Sequence, residues 1–302
     1  DEFAAGDTCL PWAADAGRIA GQLARTLGAR TPIRLVSSAK SWLCHPGVDR
    51  RAPILPPGAP DDQIDRLSPY EASVQYLQHL RDAWNQLHPD DNLALQDVTV
   101  TVPASFDPAA RELTAEAAQA VGLERLVLLE EPQAALYSWI HESHGEWRNQ
   151  VSVGDVILVI DLGGGTTDLS LIAVTEQDGS LELNRVAVGE HILLGGDNMD
   201  LALAHVLKAK LSAAGTALDQ WQIQALAQGC RAAKEVLLED PDTEAVPVVV
   251  PSRGTRLIGG SIRTELTRAE VESTIFEGFF PEVGADSRPT LRQRAALTKL
   301  GL

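Results

Sequence analysis

One segment constrains this chain more than any other: Asp161-Leu162-Gly163-Gly164-Gly165-Thr166-Thr167-Asp168, set between the apolar runs Val156 to Ile160 and Asp168 to Val174. Both runs are expected as strands, so the glycines form a tight connection from strand to strand. Three glycines remove the side chains that would block a ligand and permit unusual dihedrals, which lets backbone N–H groups approach phosphate oxygens. Thr166 and Thr167 add hydroxyl donors. Asp161, at a strand end, is placed to hold magnesium through water, and Asp168, across the loop, to orient an attacking water. A bare Gly-Gly-Gly reads as a ligand-free hairpin, but acid, glycines, threonines and acid between strands read as a phosphate loop. Two other phosphate loops are excluded, because neither G-x-x-x-x-G-K-[ST] nor G-x-G-x-x-G occurs and this loop leads into a strand, not a helix.

Four further features carry less on their own. Leu194-Gly195-Gly196-Asp197-Asn198-Met199-Asp200 offers glycines followed by a helix start, which an ordinary capped helix explains equally well. Val102-Pro103-Ala104-Ser105-Phe106 with Arg111 reads as strand, turn and helix. Leu129-Glu130-Glu131-Pro132 puts carboxylates at a helix entry, a plausible metal contact that dipole complementarity also accounts for. Lys40 alone defaults to a solvated surface position.

The order of elements implies α/β layers. Residues 12 to 29 are expected as a helix, and the Pro-rich stretch 45 to 61 (Pro46, Pro53, Pro56, Pro57, Pro60) as a loop. Ser68-Pro69-Tyr70-Glu71 is a capping box opening a helix whose Val74, Leu77, Leu80, Trp84 and Leu87 form a core-facing stripe. A strand over 97–102, a helix from Asp107-Pro108 to Val121 closed by Gly122, a short buried strand over 126–129 and a helix over 133–140 follow. The main boundary is placed in the polar stretch 143–154. Beyond it come a buried strand over 156–160, strands over 168–174 and 181–188, a helix from Asp197, a long helix over 218–239, a hairpin over 245–263 and a capped helix from Thr267 to about Phe279.

The formal net charge of -17 argues against nucleic-acid and membrane-surface partners. Three cysteines at long spacings make a disulfide framework or zinc site improbable. With no apolar run of about 18 residues and no basic-then-apolar start at Asp1-Glu2-Phe3, a cytoplasmic location is expected.

Taken in order, V-x-V-T-V-P-A-S-F-x-x-x-x-R, E-E-P-Q-A-A, I-D-L-G-G-G-T-T-D and L-G-G-D-N-x-D resemble the signatures of the seventy-kilodalton heat-shock chaperones (DnaK-like), from about Lys40 to Phe279. The resemblance implies an actin-like (ribonuclease-H-like) two-lobed ATPase fold, incomplete here: residues 1–152 as part of lobe I and 153–302 as part of lobe II. It implies ATP or ADP with magnesium as ligands. Asp161 and Glu131 would face the metal and its waters, and Lys40 and Thr166 the γ-phosphate. Gly163, Gly164, Gly165, Thr167, Gly195 and Gly196 would line the phosphates. Asp197 would lie by the ribose and Lys234 by adenine, while Pro103 and Arg111 would relay nucleotide state to a peptide-binding domain. Co-chaperones are implied partners. Which acid orients the water, Asp161, Glu131 or Asp168, stays open. Arg231 and Leu238 stand where the family carries Glu and Ser, which bears on base recognition, and Thr167 stands for a common Phe. A first D-x-G-T-T loop and a late G-G-x-S/T-R segment are missing from these 302 residues, so weak ATP binding and negligible hydrolysis are expected of them. The competing readings are a non-catalytic nucleotide sensor or scaffold and a sugar-kinase-type phosphotransferase.

Overall fold

A computed structural model describes residues 4, 6–14, 16–28, 31, 34–45, 47–57, 64–189, 192–250 and 261–288, apart from the side chains of residues 220 and 221. Asp1-Glu2-Phe3, Pro46, Pro60 and the middle of the expected hairpin, 251–260, lie outside the described residues. The fold is mixed α/β and divides into two compact units, Asp1–Gly195 and Gly196–Leu302.

In the first unit, α1 (Gly21–Gly28) and α2 (Ala39–Cys44) precede α3 (Pro69–Leu87). The expected helix over 12–29 shrinks to α1. Leu10 and Ala13 form a β-bridge instead, and Gly21, the first residue of α1, has the positive φ of 73° that sets the helix start there. The capping box of α3 is present: Ser68 Oγ accepts from Glu71 N–H at 3.0 Å, and Ser68 N–H donates to Glu71 Oε2 at 2.8 Å. The expected apolar stripe holds only over its first half. Val74 and Leu77 pack with Ala118, Val121 and Leu123, whereas Leu80 and Leu87 are exposed and the later turns make polar contacts instead, Arg81 with Val121 O at 3.0 Å and Trp84 with Asp91 O at 2.7 Å.

Strand β1 (Val98–Val102), helix α4 (Pro108–Ala120) and strand β2 (Leu126–Glu130) form a parallel strand–helix–strand crossover. Asp107 caps α4 by accepting from Ala110 N–H at 2.7 Å. Gly122, at φ 83°, ends the helix with its N–H on Gln119 O, the left-handed termination that glycine permits. Val102 and Glu130 are register partners, so Pro103 and Glu131 emerge together from the carboxyl ends of the two strands, where parallel sheets gather ligands. Helix α5 (Glu131–Glu142) begins without a linker and packs against β1 and β2 and also against β3 and β4. A short helix α6 (Trp147–Gln150) follows.

Strands β3 (Val156–Leu162), β4 (Thr167–Gln177) and β5 (Ser180–Val188) form an antiparallel sheet in that order. Asp178-Gly179 makes the β4–β5 turn, both residues at positive φ. The face bearing Asp168, Ser170, Ile172 and Val174 is buried. The other face corrects an expectation. Val156, Leu158 and Ile160 are exposed, so β3 is not buried on both sides but alternates. Val127 of β2 is likewise exposed.

In the second unit, α7 (Gly196–Ala213) and α8 (Gln220–Glu239) pack on an antiparallel pair, β6 (Ala245–Val250) and β7 (Ile262–Thr267). Leu203, Leu207, Leu226, Leu237 and Leu266 are fully buried, each contributing about 1.5–3 kcal/mol by leaving water. Thr267 caps α9 (Arg268–Val271), with the predicted box to Glu270 in place. The helix expected to run on to Phe279 changes instead to a π-helical turn over Glu272–Phe276.

Candidate phosphate-binding site

The site forms where the ends of β2, β3 and β4 meet α2. Asp161 and Asp168 are direct register partners across the β3–β4 loop, so two carboxylates share one sheet face. Like charges directly opposite are unfavourable, and a cation between or beside them relieves the cost. Asp168 is only 2% exposed and is held by the hydroxyl of Ser105, from the Pro-Ala-Ser-Phe segment.

Glu131, the first residue of α5, joins this group. Lys40 Nζ lies 2.5 Å from Glu131 Oε1, although the two are 91 positions apart. Burial pushes the Glu131 carboxyl above its ordinary range, Lys40 opposes the rise, and the neighbouring Asp161 adds to it. The structure thus brings together three sequence-predicted residues, Lys40, Glu131 and Asp161. Among the described residues, no group of three or more His, Cys, Asp or Glu side chains is arranged to bind a metal directly.

The glycine loop is closed by its own backbone and by the 192–195 segment. Gly163 N–H donates to Thr166 O at 2.8 Å, and Thr167 N–H to Ile192 O at 2.9 Å. Gly195 sits against the loop so closely that a β-carbon there would fall 2.5 Å from Gly164 O and 2.6 Å from Gly163 O. A β-carbon at Gly165 would lie 1.9 Å from Ser41 Oγ, beside Lys40. Gly195 is therefore required by its close approach to backbone, whereas the close neighbour of Gly165 is the Ser41 side chain. Thr166 is buried. Thr167 turns its hydroxyl onto Leu194 O at 2.8 Å, where it fixes one glycine segment to the other.

Gly196, Asp197 and Lys234 belong to the second unit. There, Arg231 reaches Asp197 at 3.5 Å and Glu235 at 3.1 Å, and Lys234 pairs with the buried Asp200 at 2.6 Å. Burial raises the Asp200 carboxyl while Lys234 holds it down. Pro103 is buried, and Arg111 lies 3.3 Å from Glu130. Sequence reasoning missed Ser105 as a partner of Asp168, Asp200 as a partner of Lys234, and Arg185, which pairs with Glu130. Each contact joins distant segments and leaves no local pattern. No disulfide forms. Cys44 and Cys230 are buried, which pushes their thiols up to about 11 and about 12.

Comparison with known proteins shows the family. The family described as Hsp70 protein matches residues 59–294. The chain belongs to the Hsp70 family. Among its curated relatives, the "Chaperone protein HscA homolog" of Bordetella pertussis is 34% identical over 257 residues, covering 81% of this chain and 37% of that protein. The protein of the same name from Bordetella petrii is 32% identical over 285 residues, 89% of this chain and 42% of the relative. "Chaperone protein HscA" of Yersinia pseudotuberculosis is 32% identical over 266 residues, 84% and 37% respectively. The chain therefore spans roughly two fifths of the length of these Hsp70 relatives. No helix among the described residues is long and apolar enough to cross a membrane.

Proposed function

We propose that these residues form part of the nucleotide-binding domain of an Hsp70-type chaperone, with the actin-like two-lobed fold divided as 1–152 and 153–302. In the complete protein, ATP hydrolysis is coupled to client binding through a peptide-binding domain and co-chaperones, in the cytoplasm. The observation that carries this reading is the convergence of Lys40, Glu131 and Asp161 beside a glycine loop against which Gly195 packs backbone to backbone.

The residues fit magnesium and a triphosphate. Paired carboxylates with a raised Glu131 supply negative charge that a hard cation satisfies. Asp161 and Glu131 would hold the ion through water, and the ion, when bound, neutralises phosphate charge. Loop residues Gly164 to Thr166 would turn backbone donors to phosphate oxygens, the Gly163 N–H being spent on closing the loop at Thr166 O. Lys40 brings a cation to the γ-phosphate, stabilising charge that develops as water attacks in line. Asp168, buried and fixed by Ser105, is held in one orientation, as a water-orienting carboxylate requires.

One observation favours a second reading, a nucleotide sensor with altered base preference. The acid expected at the ribose is engaged by Arg231, and the lysine expected at adenine is buried against Asp200. Titration calorimetry of magnesium–ATP, with ADP and a non-adenine triphosphate as controls, separates the two. Micromolar, adenine-selective binding supports the chaperone ATPase site. Equal affinity for other bases supports the sensor, and no nucleotide binding sinks both.

A further inference from the structure

Glu130 ends β2 and stands at the N-cap of α5, yet its carboxylate caps none of that helix's N–H groups. It is instead gripped from two sides. Arg111 of α4 approaches one carboxylate oxygen at 3.3 Å, and Arg185 of β5 pairs with the other. Arg185 stands opposite Ile172, on the sheet face that carries Asp161 and Asp168. The register changes between Leu171–Ala187 and Ile172–Arg185, so a bulge at Val186 adjoins the arginine. Bulges re-aim side chains and are frequent beside functional sites.

The geometry points to Arg185 as a positioning residue that, through Glu130, sets the distance between the Glu131 and Asp161 carboxylates. Asp161 rides on the β3–β5 sheet and Glu131 on the first turn of α5. Glu130, the residue before Glu131, is tied to that sheet by Arg185 and to α4 by Arg111. Two carboxylates that share a cation must be held to about 0.5 Å, and a carboxylate hydrogen-bonded to one guanidinium and ion-paired on its other, buried oxygen with a second supplies such a fixed point. The pair joins an Arg185 side chain 35% exposed to a Glu130 side chain 16% exposed, so thermal melting accompanies every binding measurement to separate positioning from folding. The role rests on the proposed magnesium–nucleotide site.

The test compares the parent with Arg185→Leu, Arg185→Lys, Glu130→Gln and the Arg185→Leu/Glu130→Gln double variant. ADP binding is measured by calorimetry with magnesium and with a chelator, alongside thermal melting. Arg185→Leu is expected to weaken magnesium–ADP binding by roughly tenfold or more, the usual effect of loosening a group that orients a metal ligand. Metal-free ADP binding stays unchanged, Arg185→Lys restores most of the loss, and the double variant is no worse than either single one. Equal losses with and without magnesium, additive losses or no loss would overturn the positioning role while leaving the nucleotide site standing. A parent protein with no magnesium-dependent ADP binding removes the site and this role together. Should Arg185→Leu fail to fold, Arg185→Gln and Glu130→Gln carry the same comparison.

Discussion

At the residue scale, the Glu131 carboxyl is the group whose environment most clearly serves a ligand at the expense of the free protein. Burial first, and then Asp161, raise it above its ordinary value against the pull of Lys40. A carboxyl raised in the folded state keeps its proton to higher pH than the unfolded chain does. Folding stability is therefore lost as pH rises from the ordinary value through the raised one. Glu131→Gln, neutral throughout, is expected to melt higher than the parent at pH 7 without nucleotide, and the gap should close below about pH 4. The same variant should lose magnesium-dependent nucleotide binding, a trade of function for stability. Calorimetric melting across pH checks the first part, and a variant that melts lower than the parent at pH 7 refutes it. Asp161→Asn, by contrast, removes one of two carboxylates facing each other across the loop. Magnesium-dependent hydrolysis in the complete Hsp70 protein is expected to disappear, and unchanged turnover removes Asp161 from the site.

At the element scale, the two glycine segments make one object, and their tolerances differ. A methyl at Gly195 meets backbone carbonyls of Gly163 and Gly164, which cannot move without opening the loop, whereas a methyl at Gly165 meets mainly the Ser41 side chain, which can shift or rotate. Gly195→Ala is expected to cost about 1–3 kcal/mol and to weaken nucleotide binding, as overpacking against fixed atoms does. Gly165→Ala should cost less, and the pair Gly165→Ala/Ser41→Gly should recover most of the loss. Chemical denaturation of the three variants reads this directly; equal costs for both alanines contradict it. Elements with local chemistry were legible in the sequence. The Ser68 and Thr267 capping boxes, the Gly122 stop and the Asp178-Gly179 turn all follow from residues within four positions of one another. Elements that depend on what packs over them were not. The α3 stripe looks uniformly apolar, but only Val74 and Leu77 of it join an apolar cluster while Leu80 and Leu87 stay exposed, and the run from Val156 to Ile160 looks doubly buried although one face is open. Of the residues named through family resemblance, Lys40, Glu131 and Asp161 come together in the structure. Ser105 and Arg185 were not legible, because pairs 63 and 55 positions apart leave no periodicity to read.

At the scale of the whole molecule, the chain sets a charge of -17 against an open apolar sheet face. Leu158 is 52% exposed and Ile160 61%, with Val156, Leu162 and Leu171 beside them, and β3 has no partner on its outer edge among the described residues. Bare apolar strands of this kind associate, and net charge opposes the approach of copies only until salt screens it. The 302-residue protein is therefore expected to associate increasingly as salt rises from about 0.01 M to about 1 M, the range over which screening shortens from about 30 Å to about 3 Å. Ile160→Lys places a charge in the middle of the open face. Because Ile160 faces solvent, the substitution should change stability by no more than about 0.5 kcal/mol, as surface changes do, while keeping the protein monomeric at high salt. Sedimentation velocity with parallel melting curves decides the matter. A variant that stays monomeric and melts like its parent identifies the face as the associating surface. A variant that melts several degrees lower shows that Ile160 is covered in solution, since a lysine buried there would carry the cost of an unpaired charge.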